Sequence, residues 1–535
     1  MFARSLICRL VNGAWIAGGR REHARFTKAL EDVPGTQERY LLGLLQRNSQ
    51  TQFGTQYDFA EIRSIAEYQH KVPVTKYDEL QAHIAAIAAG EQNVLTCDSV
   101  TRFHPTSGSS GATKLIPWTA PLQREFQCAI SPWIHALYGR KPGLLRGTSY
   151  WSISPPVSGS RTAGQLLVGF DHDSEYLGFL GSTLFSLVST GPRHLAAGMD
   201  PGEFRKQTLL ALLADSRLAL ISVWSPTFLT TLLDDCLARW DEIIEALPQR
   251  AARPRVDFLR SLAGARPGPE FFAAIWPSLQ VISCWTHGPS ELYAANLRRY
   301  FPEVEIQGKG LIATEAFVSL PFFENRDPVL AVASHFFEFE EVTSGRMCLP
   351  HEVSVDGIYR VIVTTAGGLY RYNLGDIVSV TGFAGSAPCL RFLGRDGVAS
   401  DLCGEKLQGV FVNQAVSETL RQHGVATRFW LLAPTQEDGA TPAYALFVCS
   451  NALPDAEILT QALEAELSKN FHYALCRRLR QLGKLRIFLI EDDTTSAAFA
   501  FQQEMMSRGV KVGDIKPVPL DNRTGWERRF NGRFV

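Results

Sequence analysis

The sequence predicts a mixed α/β and α+β protein, with a large N-terminal domain over residues 1–400 and a small C-terminal domain over residues 401–535. At 535 residues the chain is too long for one hydrophobic core, so two domains or more are expected. Helical and strand-like patterns alternate up to residue 400, which is typical of sheets and helices packed in layers. Beyond Gly404 a compact series of helix, strand, strand, helix and strand predicts an α+β domain with its helices on one face of a sheet.

The individual elements follow from the spacing of apolar residues. The opening stretch 1–19 predicts an amphipathic first helix, because Arg9 and Asn12 interrupt it before it reaches the length of a signal sequence. Helical spacing predicts further helices over 26–49, 121–138, 201–213, 228–247, 411–423 and 455–469. Strand-like runs cover 101–105, 115–119, 218–223, 279–284, 304–306, 331–334, 358–365, 376–381, 389–392, 428–433, 443–450 and 485–491.

Charge and cysteine content restrict the class of protein. Lys and Arg number 53 against 54 Asp and Glu, a net charge of −1, so neither a nucleic acid nor an anionic membrane is an expected partner. The ten cysteines are scattered, without a Cys-x-x-Cys pair or a zinc-type cluster. Free thiols are typical of a reducing compartment, and no segment approaches about 20 unbroken apolar residues. We therefore expect a cytoplasmic protein without stable membrane association, of unknown oligomeric state.

The run from Thr106 to Lys114, TSGSSGATK, is the most informative stretch of the chain. Its glycines let backbone N–H groups face an anion, its hydroxyls add donors, and its lysine supplies positive charge. A Walker A loop is excluded, because that motif needs four residues between its glycines and a hydroxyl after the lysine, where this chain has Leu115. The run is similar to the phosphate loop of adenylate-forming enzymes. A Ser/Gly surface turn is the alternative interpretation.

A second candidate is the pair Thr314 and Glu315, which follows a predicted strand and the sequence Gly308-Lys309-Gly310. A hydroxyl beside a carboxylate suits a phosphate and Mg²⁺, an ion that takes one or two carboxylates together with substrate phosphates. Adenylate-forming enzymes carry a similar Thr-Glu pair after an aromatic residue that lies against adenine. Leu311 stands at that position here. The alternative is a buried strand with one charged residue at its exit.

The third candidate is the segment from Gly367 to Asp376, GGLYRYNLGD, followed by Arg395 and Lys406. Asp376 lies between a glycine and an apolar strand, which suits a carboxylate that accepts both ribose hydroxyls. Arg395 is placed to contact the ribose or a phosphate. For Arg371 we favour an exposed charge on a hairpin.

These motifs appear in the order and rough spacing of the adenylate-forming superfamily. The sequence GLYRYxxGD, a downstream Glu-Lys-Leu and the stretch SHFFEF at 334–339 resemble the auxin-responsive acyl acid–amido synthetase family, whose plant members conjugate hormone acids to amino acids. The resemblance covers roughly residues 30–520 and is strongest over 100–120 and 305–410. It implies the adenylate-forming fold, a mobile C-terminal lid, and ATP with Mg²⁺ as cofactors.

The resemblance also assigns roles to single residues. The residues that match the phosphate loop are Ser107, Gly108, Ser109, Ser110, Gly111 and Lys114. Thr314 matches the phosphate contact, Glu315 the magnesium ligand, Asp376 the ribose-binding aspartate and Arg395 the arginine after it. Lys406 matches the lysine after the hinge, and Lys516 resembles a late lysine of the lid, although Val518 replaces the usual arginine. Lys114, Lys406 and Lys516 are the predicted catalytic residues.

The implied activity is adenylation of a small carboxylic acid, followed by transfer of the acyl group to an amine such as an amino acid. Two alternatives are an acyl-CoA ligase that uses the same first step and a non-catalytic nucleotide- or acyl-binding protein. No Gly-x-Ser-x-Gly elbow supports a hydrolase. Trp133, Trp224 and Phe228 are candidates for an acyl pocket, but apolar residues at helical spacing are more often core.

Overall fold

The computed structural model describes residues 2–106, 114–152, 161–169, 187–192, 199–324, 326–397, 399–435, 441–491, 497–508, 510 and 515–535. The chain divides into two compact units. The first comprises Met1–Val223, Arg239–Cys284 and Phe301–Phe392, and the second comprises Trp224–Ala238, Trp285–Tyr300 and Leu393–Val535. The second unit thus contains two stretches that precede the predicted C-terminal domain in the sequence.

The helices and strands alternate along the chain. The helices are α1 Phe2–Glu31, α2 Val33–Arg47, α3 Gln52–Gln56, α4 Ile65–Lys71, α5 Tyr77–Ala89, α6 Ala120–Arg140, α7 Pro201–Ala214, α8 Pro226–Ala238, α9 Trp240–Ala246, α10 Arg253–Ser261, α11 Pro269–Ile275, α12 Glu291–Tyr300, α13 Gly409–Gln422, α14 Ala456–Leu467, α15 Phe471–Arg478 and α16 Ala497–Ser507. The strands are β1 Val100–Thr106, β2 Lys114–Thr119, β3 Thr148–Trp151, β4 Leu167–Val168, β5 Leu218–Ser222, β6 Val281–Cys284, β7 Glu305–Gly308, β8 Ser319–Leu320, β9 Val329–Leu330, β10 Phe336–Glu341, β11 Met347–Cys348, β12 Ile358–Thr364, β13 Tyr372–Ala384, β14 Ala387–Arg395, β15 Ala399–Ser400, β16 Leu407–Gln408, β17 Thr427–Thr435, β18 Ala443–Ser450, β19 Arg486–Ile490 and β20 Gly532–Phe534.

The first unit is built on three sheets. A four-stranded sheet has the order β3-β5-β6-β7 with all pairs parallel, and a three-stranded sheet has the order β2-β1-β4. The third sheet has seven strands in the order β11-β10-β12-β13-β14-β9-β8. A continuous apolar core, which includes Trp118, Phe126 and Tyr370, packs these sheets against α1, α2, α5 and α6. Burial of such large side chains is the main stabilising contribution in a layered fold.

The second unit has a four-stranded sheet of order β17-β18-β19-β20. One core cluster packs α13 and α14 against it around Leu446 and Leu463, and a second cluster is centred on Phe447 and Trp526. Because every residue of β17 is buried except Arg428, and β18 is buried up to its last residue, two apolar clusters cover the sheet. The predicted α+β character of this region and the mixed class of the whole chain are confirmed. The expectation that its helices lie on one face of the sheet is wrong, because alternate residues of β17 enter the two clusters, and the second cluster contains Phe501 of α16.

Three predicted elements differ from the structure. The predicted helix over 26–49 is interrupted at Asp32, whose side chain caps α2 by accepting a hydrogen bond from the Gly35 N–H; Pro34 lies in the first turn, where a missing N–H costs little. The predicted helix over 228–247 is divided into α8 and α9 at Arg239. The predicted strand over 331–334 is wrong, because the Ser334 N–H and hydroxyl both donate to the Ala331 carbonyl and close a turn.

The N-terminal stretch forms the first part of the long helix α1. In the described part of the chain, no helix combines the length and the apolar character that crossing a bilayer requires. All ten cysteines are free thiols.

Candidate functional site

The predicted phosphate loop joins β1 to β2. Thr106 and Lys114 form the strand pair next to the loop. The loop residues Ser107, Gly108, Ser109, Ser110 and Gly111 lie outside the described residues. The Lys114 ammonium lies 5.4 Å from the centre of the Tyr77 ring, and the Leu115 N–H donates to the Tyr77 hydroxyl at 2.8 Å. Tyr77, which no sequence pattern predicts as a site residue, therefore contacts both the start of β2 and the lysine side chain.

Thr314 and Glu315 form the tip of a tight hairpin turn. Ile312 pairs with Phe317, and the Ala313 N–H donates to the Ala316 carbonyl at 3.0 Å, which closes the turn around the two predicted residues. Thr314 is half-buried, and the Glu315 residue is only 3% exposed.

Gly310 allows the chain to enter this hairpin. Its φ angle is +80°, and an added Cβ would lie 2.2 Å from the Ser319 carbonyl oxygen, so a side chain at this position has no room. The carboxylate and hydroxyl of the turn are thus presented at a fixed place after β7.

A buried carboxylate on α6, that of Glu125, ties the turn to the rest of the site. It accepts a hydrogen bond from Nδ1 of His335 at 2.9 Å, and Nε2 of His335 accepts from the Phe317 N–H at 3.1 Å. Because a backbone N–H can only donate, Nε2 carries the lone pair and Nδ1 carries the proton. The same carboxylate accepts from the Ala366 N–H at 3.1 Å and from the Tyr40 hydroxyl.

Glu125 therefore connects three motif-bearing segments: the helix after the phosphate loop, the Thr-Glu turn, and the segment that leads to Asp376. Sequence patterns did not predict this role. The available signal was a single carboxylate beside Phe126 within the apolar stripe of a helix, and such a residue is rarely buried unless it is paired. His335 lies in the SHFFEF stretch, so part of that family motif acts by holding the turn in place.

Asp376 lies in β13 directly after Gly375, whose φ angle is 75°, and it is 6% exposed. The side chain of Asn373 accepts the Gly375 N–H at 2.8 Å and so fixes the backbone before the aspartate. A buried carboxylate at a defined strand position is suited to accept hydrogen bonds from a ligand hydroxyl pair.

The expectation of an exposed charge at Arg371 is wrong. Its guanidinium donates to both carboxylate oxygens of Glu338 at 2.9 Å, and it also donates to the carbonyls of Gln69 and Val72. Arg371 is 6% exposed and Glu338 is 1% exposed. The arginine of the GLYRY motif thus links β13 to β10 and α4 in the core, where planar bidentate pairing satisfies its donors.

Arg395 and Lys406 lie in the second unit. Arg395 is the last residue of β14 and is half-buried, whereas Lys406 is exposed and has a left-handed backbone with φ of 47°. The preceding Glu405 is buried; its carboxylate accepts from the N–H groups of Leu402 and Cys403 and, at 2.5 Å, from the Tyr444 hydroxyl.

Burial raises the pKa of Glu405, but the hydrogen bonds from Tyr444 and the backbone outweigh it and leave that pKa below its ordinary value. An ionised Glu405 therefore holds the loop that presents the Lys406 side chain to solvent.

The remaining candidates occupy different places. Lys516 is exposed and lies 5.0 Å from the centre of the Trp285 ring, which itself packs beside Trp224 at 5.8 Å. Phe228 and Trp133 are buried. The first unit carries Lys114, Thr314, Glu315 and Asp376, and the second unit carries Arg395, Lys406 and Lys516.

Three family models match consecutive parts of the chain: the GH3 family N-terminal domain over residues 22–306, the central domain over 328–395 and the C-terminal domain over 410–524. The indole-3-acetic acid-amido synthetase GH3.4 of Arabidopsis thaliana is 23% identical over 537 residues, which covers 90% of this chain and 88% of the relative. The indole-3-acetic acid-amido synthetase GH3.8 of Oryza sativa subsp. indica is 25% identical over 459 residues, with coverage of 76% and 74%.

The solved structure of AtGH3.15 acyl acid amido synthetase in complex with 2,4-DB matches with a TM-score of 0.82 at 20% identity and covers 95% of this chain and 94% of that one. The fold is therefore that of this synthetase, and the predicted large N-terminal and smaller C-terminal domains are confirmed. The chain belongs to the GH3 family, the acyl acid–amido synthetases that its motifs predict.

Proposed function

We propose that this chain is an ATP-dependent acyl acid–amido synthetase, a ligase that joins a small carboxylic acid to an amine. Family membership is the observation that carries the proposal. Relatives are named as indole-3-acetic acid-amido synthetases, and a solved one is an acyl acid amido synthetase in complex with 2,4-DB. We take small carboxylic acids as the substrate class, and an amino acid as the expected amine.

For each part of ATP we propose protein groups whose chemistry suits it. Asp376 is the proposed acceptor for the ribose hydroxyls, and Arg395 is proposed to contact the ribose or a phosphate. The proposed donors to phosphate oxygens are Thr314 and the run Ser107, Gly108, Ser109, Ser110 and Gly111. The position of Asp376 in β13, directly after the Gly375 backbone that Asn373 fixes, supports the assignment, because a carboxylate at a fixed position can accept hydrogen bonds from a pair of hydroxyls.

We propose that Glu315 binds Mg²⁺. Its carboxylate and the neighbouring Thr314 hydroxyl are hard oxygen donors, which this ion prefers. The bound ion would neutralise developing negative charge on the phosphate oxygens. The hairpin turn and its anchor through His335 and Glu125 hold the backbone that carries Glu315 in place.

In the first reaction the acid's carboxylate attacks the α-phosphorus of ATP and pyrophosphate leaves, which gives an acyl-adenylate. Two anions approach each other in this step, so the positive charge of Lys114 and the loop N–H donors would offset their repulsion. Lys406 and Lys516 are the other proposed catalytic residues of this step. The amine then attacks the acyl carbonyl and AMP leaves, which requires that water be kept from the adenylate.

The thioester alternative shares the first reaction and differs in the acceptor. The relatives are named for amide formation, which favours an amine over coenzyme A. The second alternative, a non-catalytic binding protein, is opposed by the retention of Lys114, Glu315, Asp376 and Lys406. We also propose a cytoplasmic location, which the ten free thiols support.

The test is pyrophosphate release from ATP with a panel of carboxylic acids, each alone, with amino acids and with coenzyme A. We expect release with a subset of acids and an amide product only when an amino acid is added. Formation of ADP and phosphate would indicate an acyl-phosphate route instead. Product formation with coenzyme A alone would favour the thioester ligase.

A further inference from the structure

A row of side chains lies at the carboxyl ends of the four parallel strands β3, β5, β6 and β7. Trp151 is paired with Ser222, Ser222 with Ser283, and Ser283 with Gln307. Residues paired across parallel strands project to the same face of the sheet. In open parallel sheets, ligands bind beyond the carboxyl ends of the strands, so this row occupies a position where a ligand is expected.

Two members of the row have unused hydrogen-bonding atoms. Gln307 is 5% exposed and its Oε1 accepts from Nε1 of Trp133 at 2.9 Å, because an indole N–H can only donate. Its Nε2 and the Oγ of Ser283, which is fully buried, have no hydrogen-bond partner among the described residues. An unsatisfied buried polar group costs about 1–3 kcal/mol. Two of them side by side indicate a ligand that supplies the acceptors.

A lysine completes this cluster. Lys309 is 3% exposed and follows Gln307 by two positions, so it projects to the same face. Its ammonium donates to Oγ of Ser222 and lies 5.2 Å from the centre of the Trp133 ring and 5.3 Å from that of Trp151. The chain thus presents an amide N–H₂ and a hydroxyl on neighbouring strands, together with an ammonium that lies near two indole rings.

The elements that carry this cluster also carry the proposed nucleotide site. Trp133 lies on α6, the helix that follows Lys114 and β2, and Lys309 precedes Thr314 on the segment that leaves β7. Because the cluster lies on the same segments as the proposed nucleotide site, we take the acid as its ligand. We propose that Ser283, Gln307 and Lys309 form an acyl-acid subsite that selects an aromatic acid with a second carboxylate, remote from the carboxylate that is adenylated. This inference rests on the proposed function.

The chemistry of the three groups carries the choice of ligand. All three can donate, which suits a group with several acceptor lone pairs, and the flanking indoles suit an aromatic ring. Burial lowers the pKa of Lys309 to about 7. An incoming carboxylate favours the charged amine, so binding of such an acid above pH 7 should take up a proton.

The test compares pairs of acids that differ by one carboxylate, such as phenylacetic acid with 4-carboxyphenylacetic acid and benzoate with terephthalate. Pyrophosphate release gives kcat/KM for each acid, and calorimetry gives direct binding without ATP. We expect the wild-type chain to prefer the diacid of at least one pair. Lys309→Met should lower that preference by roughly ten- to hundredfold, as for the loss of a charged hydrogen bond.

Two further variants make the result decisive. Gln307→Glu keeps the acceptor for Trp133 and replaces the free donor by a negative charge, so it should reject the diacid even if Lys309→Met folds poorly. Lys28→Met removes an exposed lysine of α1 and should leave both acids unaffected. The inference is overturned if the wild type prefers every monoacid, or if folded Lys309→Met loses both acids equally, since the lysine would then serve the reacting carboxylate.

The calorimetric arm separates the inference from the proposed function. Diacid binding that is lost in Lys309→Met supports the subsite even if no acid yields pyrophosphate, which would contradict only the adenylation proposal. Absence of diacid binding to the wild-type chain, together with pyrophosphate release from monoacids, would remove the subsite and keep the proposed function.

Discussion

Oε2 of Glu125 lies 2.9 Å from Nδ1 of His335, and Nε2 of the same ring accepts the Phe317 N–H. The imidazole is therefore a neutral bridge between a helix and the turn that presents Thr314 and Glu315. Both side chains are buried, so the geometry does not depend on solvent. The turn that carries the proposed phosphate and Mg²⁺ contacts of the first unit therefore depends on a buried polar connection.

Glu125→Gln should damage this connection without removing bulk. An amide offers one acceptor oxygen and two donors, so at least one of its present donors, from Tyr40, His335 or Ala366, loses its acceptor. We expect the free energy of unfolding to fall by about 1–3 kcal/mol. The rate of pyrophosphate release should fall by a larger fraction of its wild-type value than the free energy of unfolding does. Denaturant unfolding and initial rates measure the two effects, with the exposed Glu38→Gln as the control. Unchanged stability and rate would mean that the network is not needed.

The buried ion pair between Arg371 and Glu338 gives a second stability prediction. Arg371→Leu leaves the Glu338 carboxylate buried without its bidentate partner, which should cost about 3–5 kcal/mol. Arg371→Leu combined with Glu338→Leu removes both charges and should be less destabilising than the single change. Unfolding midpoints of the wild type, the two single variants and the double variant measure this coupling. Simple additivity would show that the pair contributes nothing.

Arg371 also shows why part of the site could not be predicted from sequence. An arginine between two tyrosines near a glycine gives no local sign of burial, because its partner Glu338 lies on another strand and its other acceptors are carbonyls of Gln69 and Val72. Local patterns make Thr314, Glu315 and Asp376 candidates, since these residues follow predicted strands or glycines. Tyr77 carries no pattern of its own, and the lone carboxylate of Glu125 in an apolar helix stripe does not indicate which groups it will bind.

The fold could be predicted where an element has a clear local sequence pattern. Helix α6 and strands β1, β2, β12 and β18 have clear periodicity and appear within a few residues of the expected bounds. The turn at Ala331–Ser334 was missed because a short apolar run suits a strand and a buried turn equally, and side-chain bonds from Ser334 decide between them.

Asp376→Ala tests the proposed ribose contact. If the carboxylate accepts both ribose hydroxyls, ATP binding should weaken by about 1.5–3 kcal/mol for each bond lost, with little change in folding. Asp376→Asn keeps the size and one acceptor, so it should bind ATP more tightly than the alanine variant and less tightly than the wild type. Calorimetric titration with ATP and Mg²⁺ measures all three. Equal affinities in well-folded variants would remove Asp376 from the nucleotide site.

Lys309 predicts a pH dependence of stability with a definite sign. Burial lowers its pKa from 10.5 to about 7, so between these values the unfolded chain binds a proton that the folded chain does not. The free energy of unfolding of the wild type, relative to Lys309→Met, should therefore rise with pH across that window, by up to about 1.4 kcal/mol per pH unit. Below about pH 7 the difference should be flat. Paired denaturant titrations measure it, and a difference that is constant up to pH 10.5 would contradict a buried, shifted amine.

The exposed ammonium of Lys406 gives the last prediction, because an exposed lysine on a strained loop is not needed for folding. Its φ angle of 47° and the capping of the preceding loop by Glu405 fix where the side chain leaves the backbone. If the lysine acts only in the adenylation step, Lys406→Ala should lower the rate of pyrophosphate release far more than it raises the ATP dissociation constant, since an interaction made only in the transition state has that signature. The same variant should still transfer the acyl group from presynthesised acyl-adenylate to the amine.

The control is Lys484→Ala, which changes an exposed lysine of the same unit that pairs with Glu457 and should behave as the wild type in both assays. Weak ATP binding with normal adenylation at saturation would make Lys406 a ground-state contact, and equal losses in both half-reactions would indicate a general effect on the second unit.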